Sequence, residues 1–432
     1  MSVLTAPPAR PQTATRLRRG SFERFAVISM AIAVAAQPLL HPSGPGNSSP
    51  VDVFTLVSLL AVLAWAASAR VRVRAPYAFA VGLMVLGGAI AGAAGPLPGT
   101  ALLTIVQDIV LAVWCAALAT LASSPRRLAL LANAWAYASV VAAAILVAGY
   151  LAHISAITGV VAREGNRVLF TFGDPNYAAT YWTLSIFVLY ACGRPRHRGL
   201  RVLGYVLLGW ALLLTESNGG VVEVLVGLSV IAILTQTRRR GAAGGIATAL
   251  VIVGIAASAA VFLPVSKIQT WARDSGQSYL ENSIGRSNDS SAQRGQLISE
   301  SFQLYAQDGW LGSGPASTKQ LLTDRGYTYA KEAHDDYLAA LTERGPIGLL
   351  GLLCLVGSVA VRARGVARAA MFDRRTAVPH PGGLLAAAAA AGVAGTYYEV
   401  LHFRFVWVLL AFIAAYGWQQ AAGAASQPEA AP

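Results

Sequence analysis

The chain has 432 residues, of which 55% are hydrophobic and 12% are charged, and its mean hydropathy is +0.55. This composition excludes an ordinary soluble domain and predicts a membrane protein, because apolar runs of roughly 17 residues or more can cross a bilayer as helices. The net charge of +13 could suggest a nucleic-acid partner. The arginines lie in alternate loops, however, so they indicate membrane topology, and we expect no nucleic-acid binding.

Twelve apolar segments are predicted to be transmembrane helices, since hydrocarbon cannot satisfy the polar groups of a non-helical backbone. Arginine clusters precede the first segment and follow the second, fourth, sixth, eighth and tenth, which predicts cytoplasmic termini. The first segment also resembles a secretory signal, but the eleven that follow favour a retained helix. The predicted spans are 25–41, 51–69, 76–95, 101–122, 128–153, 176–192, 200–216, 219–236, 243–263, 345–361, 382–398 and 404–421.

The predicted fold is therefore an all-α polytopic membrane protein with about twelve transmembrane helices and one large extracytoplasmic loop. Residues 1–24 form a cytoplasmic tail, and residues 25–263 hold the first nine transmembrane helices. The large loop at 264–344 follows, and residues 345–421 hold the last three transmembrane helices. Residues 422–432 form the second cytoplasmic tail.

The large loop is the one long polar segment of the sequence, and two helices are predicted in it. Ser290 or Ser291 can cap a helix that runs to about Gln307 and carries Arg294 on its apolar face. A second helix is predicted to begin near His334. Gly345 is a natural stop for it.

Arg167 and Arg294 are candidate phosphate ligands, because both lie in outer loops where the topology does not call for arginine. A guanidinium binds phosphate oxygens bidentately and stays charged, so two of them could hold a pyrophosphate without a metal. The alternative for each is a surface position or a structural ion pair, such as Arg167 with Glu164 or Asp174.

His334 is a candidate general base, because its imidazole can accept a proton near neutral pH. The adjacent carboxylates Asp335 and Asp336 could orient it, and all three are candidate catalytic residues. Alternatively, the carboxylates complement the dipole of the following helix. A metal site is not predicted, since no second pair of ligands has suitable spacing, and no cofactor-binding motif is present.

Further polar residues near the outer ends of the spans predict a vestibule that opens to the outside. Intramembrane carboxylates are costly and usually line a cavity or pathway, although local pairing between helices is the alternative. The candidate vestibule residues are Asp108, Asp174, Asn176, Glu216, Glu223, Arg286 and Arg404.

In its motifs the sequence resembles the O-antigen ligase/polymerase superfamily of bacterial envelope enzymes. His334-Asp335, nine residues and then Gly345-Pro346-Ile347-Gly348 match the family's His-(Asn/Ser/Gln)-x9-Gly-x-x-Gly spacing, with Asp335 in place of the usual amide or hydroxyl. The other matching elements are Arg167 with Asp174-Pro175-Asn176, and Arg294 with Gly312-Ser313-Gly314. At Ser217-Asn218-Gly219 the family's usual arginine is missing.

The resemblance implies a metal-independent, inverting glycosyltransferase with a GT-C-like helical fold in the bacterial inner membrane. It implies a glycan donor linked to undecaprenyl pyrophosphate, an acceptor that is a glycan or lipid-linked, and surrounding membrane lipids as partners. Arg167 and Arg294 would bind the pyrophosphate and His334 would deprotonate the acceptor.

Three functions stay open at this point. The spacing from His334 to Gly345 favours a ligase, which passes a finished glycan to a lipid-anchored acceptor. A Wzy-type polymerase would use the same donor to extend the glycan. A transporter of lipid-linked glycan or polysaccharide would bind without reacting, but the sequence shows no internal repeat of the kind common in transporters.

Overall fold

The computed structural model describes residues 12–41, 48–160, 167–277, 280–285, 287–327, 334–372 and 378–425. These residues form helices and connecting segments, with no β-strand among them. The helices are α1 Gln12–Ala35, α2 Pro50–Ala69, α3 Ala78–Ala94, α4 Pro98–Leu121, α5 Pro125–Leu151, α6 Ser155–Thr158, α7 Pro175–Cys192, α8 Arg198–Leu214, α9 Asn218–Phe262, α10 Val265–Arg273, α11 Ser287–Asp308, α12 Thr318–Asp324, α13 Asp336–Met371, α14 Gly382–Ala394 and α15 Arg404–Ala425, and a π-helical turn lies at Glu281–Gly285.

Helix covers most or all of every predicted span, and the all-α prediction is confirmed for the described residues. Six of the described helices, α2, α4, α5, α9, α13 and α15, are long and apolar enough to cross a membrane by themselves. Helices α3 and α14 are apolar but shorter. The chain is therefore an integral membrane protein, and the count of twelve crossings stays a prediction.

Helix α9 covers both the eighth and the ninth predicted span, because it turns back on itself at Gly241 (φ +71°). A Cβ atom built on Gly245 would lie 3.6 Å from the carbonyl oxygen of Ile233. In a straight helix those residues, twelve apart, would be separated by about 18 Å. The two halves of α9 therefore run as separate helices joined by a tight corner.

The segments that follow the odd-numbered predicted spans meet at one end of the bundle, which we call the loop-rich end. It consists of the described residues within 36–49, 95–97, 152–174, 215–217, 263–335 and 395–403. The contacts that join these segments include Arg404 with Asp52, Arg167 with Thr215, Asn218 with Ser283, Arg294 with Tyr397 and His334 with Glu399. The arginine pattern had placed these same segments together on one side of the membrane.

Helix α13 has a corner of the same kind at Gly345 (φ +66°), as the sequence predicted. A Cβ atom built on Gly345 would lie 2.6 Å from the carbonyl oxygen of Leu311. A Cβ atom built on Gly87 of α3 would lie 2.6 Å from the backbone nitrogen of Gly348. Because real Cβ atoms do not approach so closely, glycine is required where these three segments touch. The corner therefore locks the Gly312-Ser313-Gly314 turn, whose Ser313 N–H donates to the carbonyl of Thr342 over 3.0 Å.

Candidate functional site

Arg167 is held at the junction of α7, α8 and α9. Its side chain is buried, its Nε donates to the carbonyl oxygen of Thr215 over 2.9 Å, and its Nη2 donates to Oδ1 of Asn176 over 3.3 Å. Asn176 Oδ1 also accepts a bond from Ser217 Oγ at 2.9 Å. Asp174 caps α7 by accepting the N–H groups of Asn176 and Tyr177. These bonds fix the guanidinium rigidly.

The Ser217-Asn218-Gly219 element starts α9 beside that arginine. Ser217 Oγ accepts the N–H of Gly220, which makes Ser217 the helix cap. Glu216, one residue earlier, is buried and has a left-handed backbone (φ +51°). Gly219 leaves room for Tyr397, because a Cβ there would lie 2.5 Å from the tyrosine ring. The start of α9 thereby connects Arg167 to the segment 395–403.

Arg294 reaches the same segment from α11. Its guanidinium carbon lies 5.6 Å from the ring centroid of Tyr397, over the ring, which is a cation–π distance. The Tyr397 hydroxyl donates to Glu223 Oε1 over 2.7 Å, and Thr180 Oγ1 donates to the same oxygen over 2.8 Å. Glu223, a candidate vestibule residue, is thus a buried hydrogen-bond acceptor. It fixes the position of Tyr397, whose ring contacts Arg294.

His334 lies at the start of α13 with a left-handed backbone (φ +51°). Its side chain is half-buried, and the imidazole centroid lies 5.1 Å from that of Tyr398. Its backbone N–H donates to Glu399 Oε1 over 3.3 Å. The two contacts are with the first and second residues after Tyr397, so His334 and Arg294 contact the same short segment.

Asp335 and Asp336 make well-defined contacts with the backbone. Asp335 Oδ1 caps α13 by accepting the N–H groups of Tyr337 and Leu338 at 2.7 and 2.9 Å. Asp336 is buried, and its carboxylate accepts the N–H groups of Val400 and Leu401 at 3.1 and 3.4 Å. The two carboxylates therefore fix the start of α13 directly after His334 and tie it to the segment 400–401, which matches the helix-start alternative from the sequence.

Glu399 connects His334 to a second histidine. Glu399 Oε2 lies 3.0 Å from His402 Nε2. Burial alone would raise the pKa of Glu399, but the bond and charge of His402 bring that pKa below its usual value. Burial alone would lower the pKa of His402, but Glu399 raises it. The His402 side chain is 44% exposed, so water screens part of this attraction.

A buried ion pair lies beneath this segment. Arg344 Nη2 lies 2.6 Å from Asp108 Oδ2, with side chains only 8% and 11% exposed, and without the alignment of a hydrogen bond. The adjacent cavity, of about 30 Å³, also touches Asp336, Glu343 and His402. It could hold about one water molecule and no sugar. Asp108 therefore fits the predicted alternative of pairing between helices.

Glu343 and Arg344 were not singled out from the sequence. Glu343 accepts the backbone N–H of Ala316 at 2.7 Å and the hydroxyl of Thr318 at 2.7 Å, so it holds the segment after Gly314. Arg344 carried the same signal as Arg294, since it is an arginine on the predicted outer side and outside any basic cluster. Arg344 could therefore have been predicted as a candidate site residue from the sequence.

Two candidate vestibule residues remain. Arg404 makes a bidentate ion pair with Asp52, with Nε–Oδ1 and Nη2–Oδ2 distances of 2.6 and 2.7 Å. It therefore ties the start of α15 to the start of α2. Arg286 lies outside the described residues. Among the described residues, no group of three or more His, Cys, Asp or Glu side chains is arranged to hold a metal ion.

The contacts thus connect the three principal candidates through one short segment, Tyr397–Glu399. Arg294 lies over Tyr397, His334 touches Tyr398 and Glu399, and Arg167 is linked to Tyr397 through Asn176, Ser217 and the start of α9. Two cations and one imidazole at the same end of the bundle can bind an anionic group and accept a proton.

A family model described as O-antigen ligase matches residues 203–353, which contain Arg294, His334 and the Gly345 corner. No curated protein matches the chain. The family match confirms, for residues 203–353, the resemblance to the O-antigen ligase-like superfamily that the motifs indicated.

Proposed function

We propose that the chain transfers a glycan from undecaprenyl pyrophosphate to an acceptor at the outer face of the bacterial inner membrane, as an O-antigen ligase does. Arg167 and Arg294 bind the pyrophosphate, and His334 is the general base. The twelve crossings, cytoplasmic termini and GT-C-like arrangement belong to this proposal. The family match supports it, and so does the connection of the three side chains through Tyr397–Glu399, which is the observation that carries the site assignment.

The reaction needs no redox partner and no cofactor. The acceptor hydroxyl gives its proton to the His334 imidazole while its oxygen forms a bond to the anomeric carbon. The bond from that carbon to the pyrophosphate oxygen breaks on the opposite face, so the configuration inverts. Arg167 and Arg294 stabilise the negative charge that grows on the leaving pyrophosphate. The released undecaprenyl pyrophosphate remains in the membrane.

The remaining contacts support further roles in the proposed reaction. Asp335 and Asp336 hold the backbone around His334 in place, because their carboxylates accept backbone N–H groups on α13 and on the segment 400–401. The Gly345 corner fixes the start of α13 against the Gly312-Ser313-Gly314 turn. Such rigidity matters, since a small misplacement of a catalytic group lowers the rate strongly.

The direct test uses purified full-length protein, a donor of glycan linked to undecaprenyl pyrophosphate, and a lipid-anchored acceptor in buffer with EDTA. We expect transfer with inverted anomeric configuration, measured by mass spectrometry and NMR of the product. Elongation of the donor glycan without transfer to the acceptor would support the polymerase. Donor binding without any new glycosidic bond would support the transporter, and loss of activity in EDTA would contradict the metal-independent mechanism.

Replacing Arg294 with alanine should weaken donor binding by about 10- to 100-fold, because a hydrogen bond to a charged group contributes roughly 1.5–3 kcal/mol. Affinity for the acceptor should stay unchanged. Isothermal titration or kinetics at varied donor and acceptor concentrations measure both. Arg294→Lys should lose less donor affinity than Arg294→Ala, because lysine keeps the positive charge. It should still lose some, because lysine cannot bind the phosphate bidentately.

Arg325→Ala is the matched control for that experiment. Arg325 is an exposed arginine in the same large loop, and its Nη1 donates to Gln307 over 2.7 Å. Its loss removes one positive charge from the same end of the protein and should leave donor affinity unchanged. Equal weakening by both alanine variants would show that overall loop charge, and not a specific clamp, attracts the donor.

A further inference from the structure

A second cavity lies far along the bundle from the candidate site. It has a volume of about 430 Å³ and lies between the ends of α7, the first half of α9, α13 and α14. The lining residues lie at or beyond the predicted ends of spans six, eight and ten and at the start of span eleven. The arginine pattern assigns all of them to the cytoplasmic side, and we call this the arginine-rich end.

The lining of the cavity is divided into a basic part and an apolar part. Arg238 and Arg239 line it at the end of the first half of α9, and both are exposed. Ile231 and Leu234, one to two turns earlier on the same helix, form an apolar wall, and Ala369 of α13 lies across from them. An occupant that satisfies both parts needs an anionic group and an apolar body.

His380 gives the cavity a fixed rim. Its imidazole stacks on Tyr190 with centroids 5.2 Å apart, and its backbone N–H donates to the carbonyl of Ala191 over 3.0 Å. A Cβ built on Gly193 would lie 3.4 Å from the imidazole, so the glycine turn after α7 packs directly against it. The part of the cavity lined by His380 and Tyr190 is therefore bounded by packed aromatic and backbone groups.

Size and position both favour a lipid. A volume of about 430 Å³ lies within the roughly 300–1,000 Å³ of small-molecule sites and is too small for a folded partner. The end of a transmembrane helix is where phospholipid phosphates lie, and basic pockets between such helices on the cytoplasmic side suit anionic headgroups. Exposed apolar side chains continue along α9 at Leu228 and Leu225, within predicted span eight.

We propose that this cavity binds one anionic phospholipid of the cytoplasmic leaflet. Arg238 and Arg239 contact its phosphate, and its acyl chains lie against Ile231 and Leu234. The site is independent of glycan transfer and of the loop-rich end. Its role is to hold the corner at Gly241 and the ends of α13 and α14 together in the membrane.

The test is native mass spectrometry of the full-length protein released from detergent, with added phosphatidylglycerol or phosphatidylcholine. We expect one phosphatidylglycerol to be retained in preference to phosphatidylcholine. Each arginine near an anionic lipid contributes about 5-fold in affinity, so Arg238→Ala with Arg239→Ala should weaken retention about 25-fold. The double lysine variant keeps the charge and should retain the lipid.

The control is Arg72→Ala with Arg126→Ala, which removes two exposed arginines from the same predicted side without touching the cavity. Undiminished lipid retention in this control supports the proposal. Equal loss of lipid retention in both double alanine variants would show that diffuse surface charge binds the lipid, and it would overturn the proposal. Equal retention of phosphatidylcholine, or displacement of the lipid by inorganic phosphate alone, would also overturn it.

Discussion

Replacing His334 with alanine should lower the rate of glycan transfer by about 10²- to 10⁴-fold, which is the usual contribution of a positioned general base. The donor should still bind, because Arg167 and Arg294 are unchanged. The contacts of the histidine include its backbone N–H to Glu399 and its ring against Tyr398. Alanine keeps the first contact, so the protein should fold. Single-turnover kinetics with lipid-linked donor measure the chemical step directly.

His153→Ala is the matched control for this variant. His153 is an exposed histidine after α5, in a predicted outer loop, and its backbone is also left-handed (φ +54°). The control therefore imposes the same backbone strain and removes the same functional group elsewhere. We expect wild-type transfer from it. A His334→Ala protein that transfers glycan at the wild-type rate would contradict the assignment of the base.

Replacing Arg344 with methionine should destabilise the fold by about 3–5 kcal/mol, because it leaves the buried carboxylate of Asp108 without its charge partner. The side chains are 8% and 11% exposed, and the Nη2–Oδ2 distance is 2.6 Å. The expected result is a lower midpoint of thermal unfolding in detergent, measured by tryptophan fluorescence. Glycan transfer should fall in proportion to the folded fraction.

The double variant Arg344→Met with Asp108→Leu separates the loss of a partner from the loss of the pair itself. Replacing both members of a buried ion pair with apolar groups of similar size is often neutral or stabilising. We therefore expect the unfolding midpoint to recover to near the wild-type value. If the double variant is as unstable as the sum of the single variants, Arg344 and Asp108 do not act as a pair.

The sequence predicted the helices well because the bilayer restricts the backbone to one solution for each long apolar run. The corner at Gly345 was also predictable, since glycine followed by proline stops one helix and starts another. The helix in the large loop carries Arg294 as expected, but it begins at Ser287, so the predicted caps Ser290 and Ser291 lie inside its first turns and the predicted start was wrong. Local sequence, hydrophobic period and loop charge are enough to place these elements in order along the chain.

Pairings between distant residues were not predictable in the same way. Arg404 pairs with Asp52, which lies 352 positions earlier, and Arg344 reaches Asp108 on another helix. The hydrophobic period predicts which face of a helix is buried, but it does not predict which other helix packs against that face. These ion pairs depend on that packing. Asp335 is different, because the sequence had offered a carboxylate at the start of the following helix as the alternative to catalysis, and the contacts of Asp335 with the N–H groups of Tyr337 and Leu338 agree with that position.

The proposed reaction requires that Arg167, Arg294 and His334 act on one donor molecule at the loop-rich end. A cryo-electron microscopy map of the full-length protein with a non-transferable analogue of the lipid-linked donor tests it most directly. The expected map has the pyrophosphate within hydrogen-bond distance of both guanidinium groups, and His334 facing the anomeric carbon. A map with the pyrophosphate bound away from both arginines, or with the His334 imidazole turned from the sugar, would contradict the account.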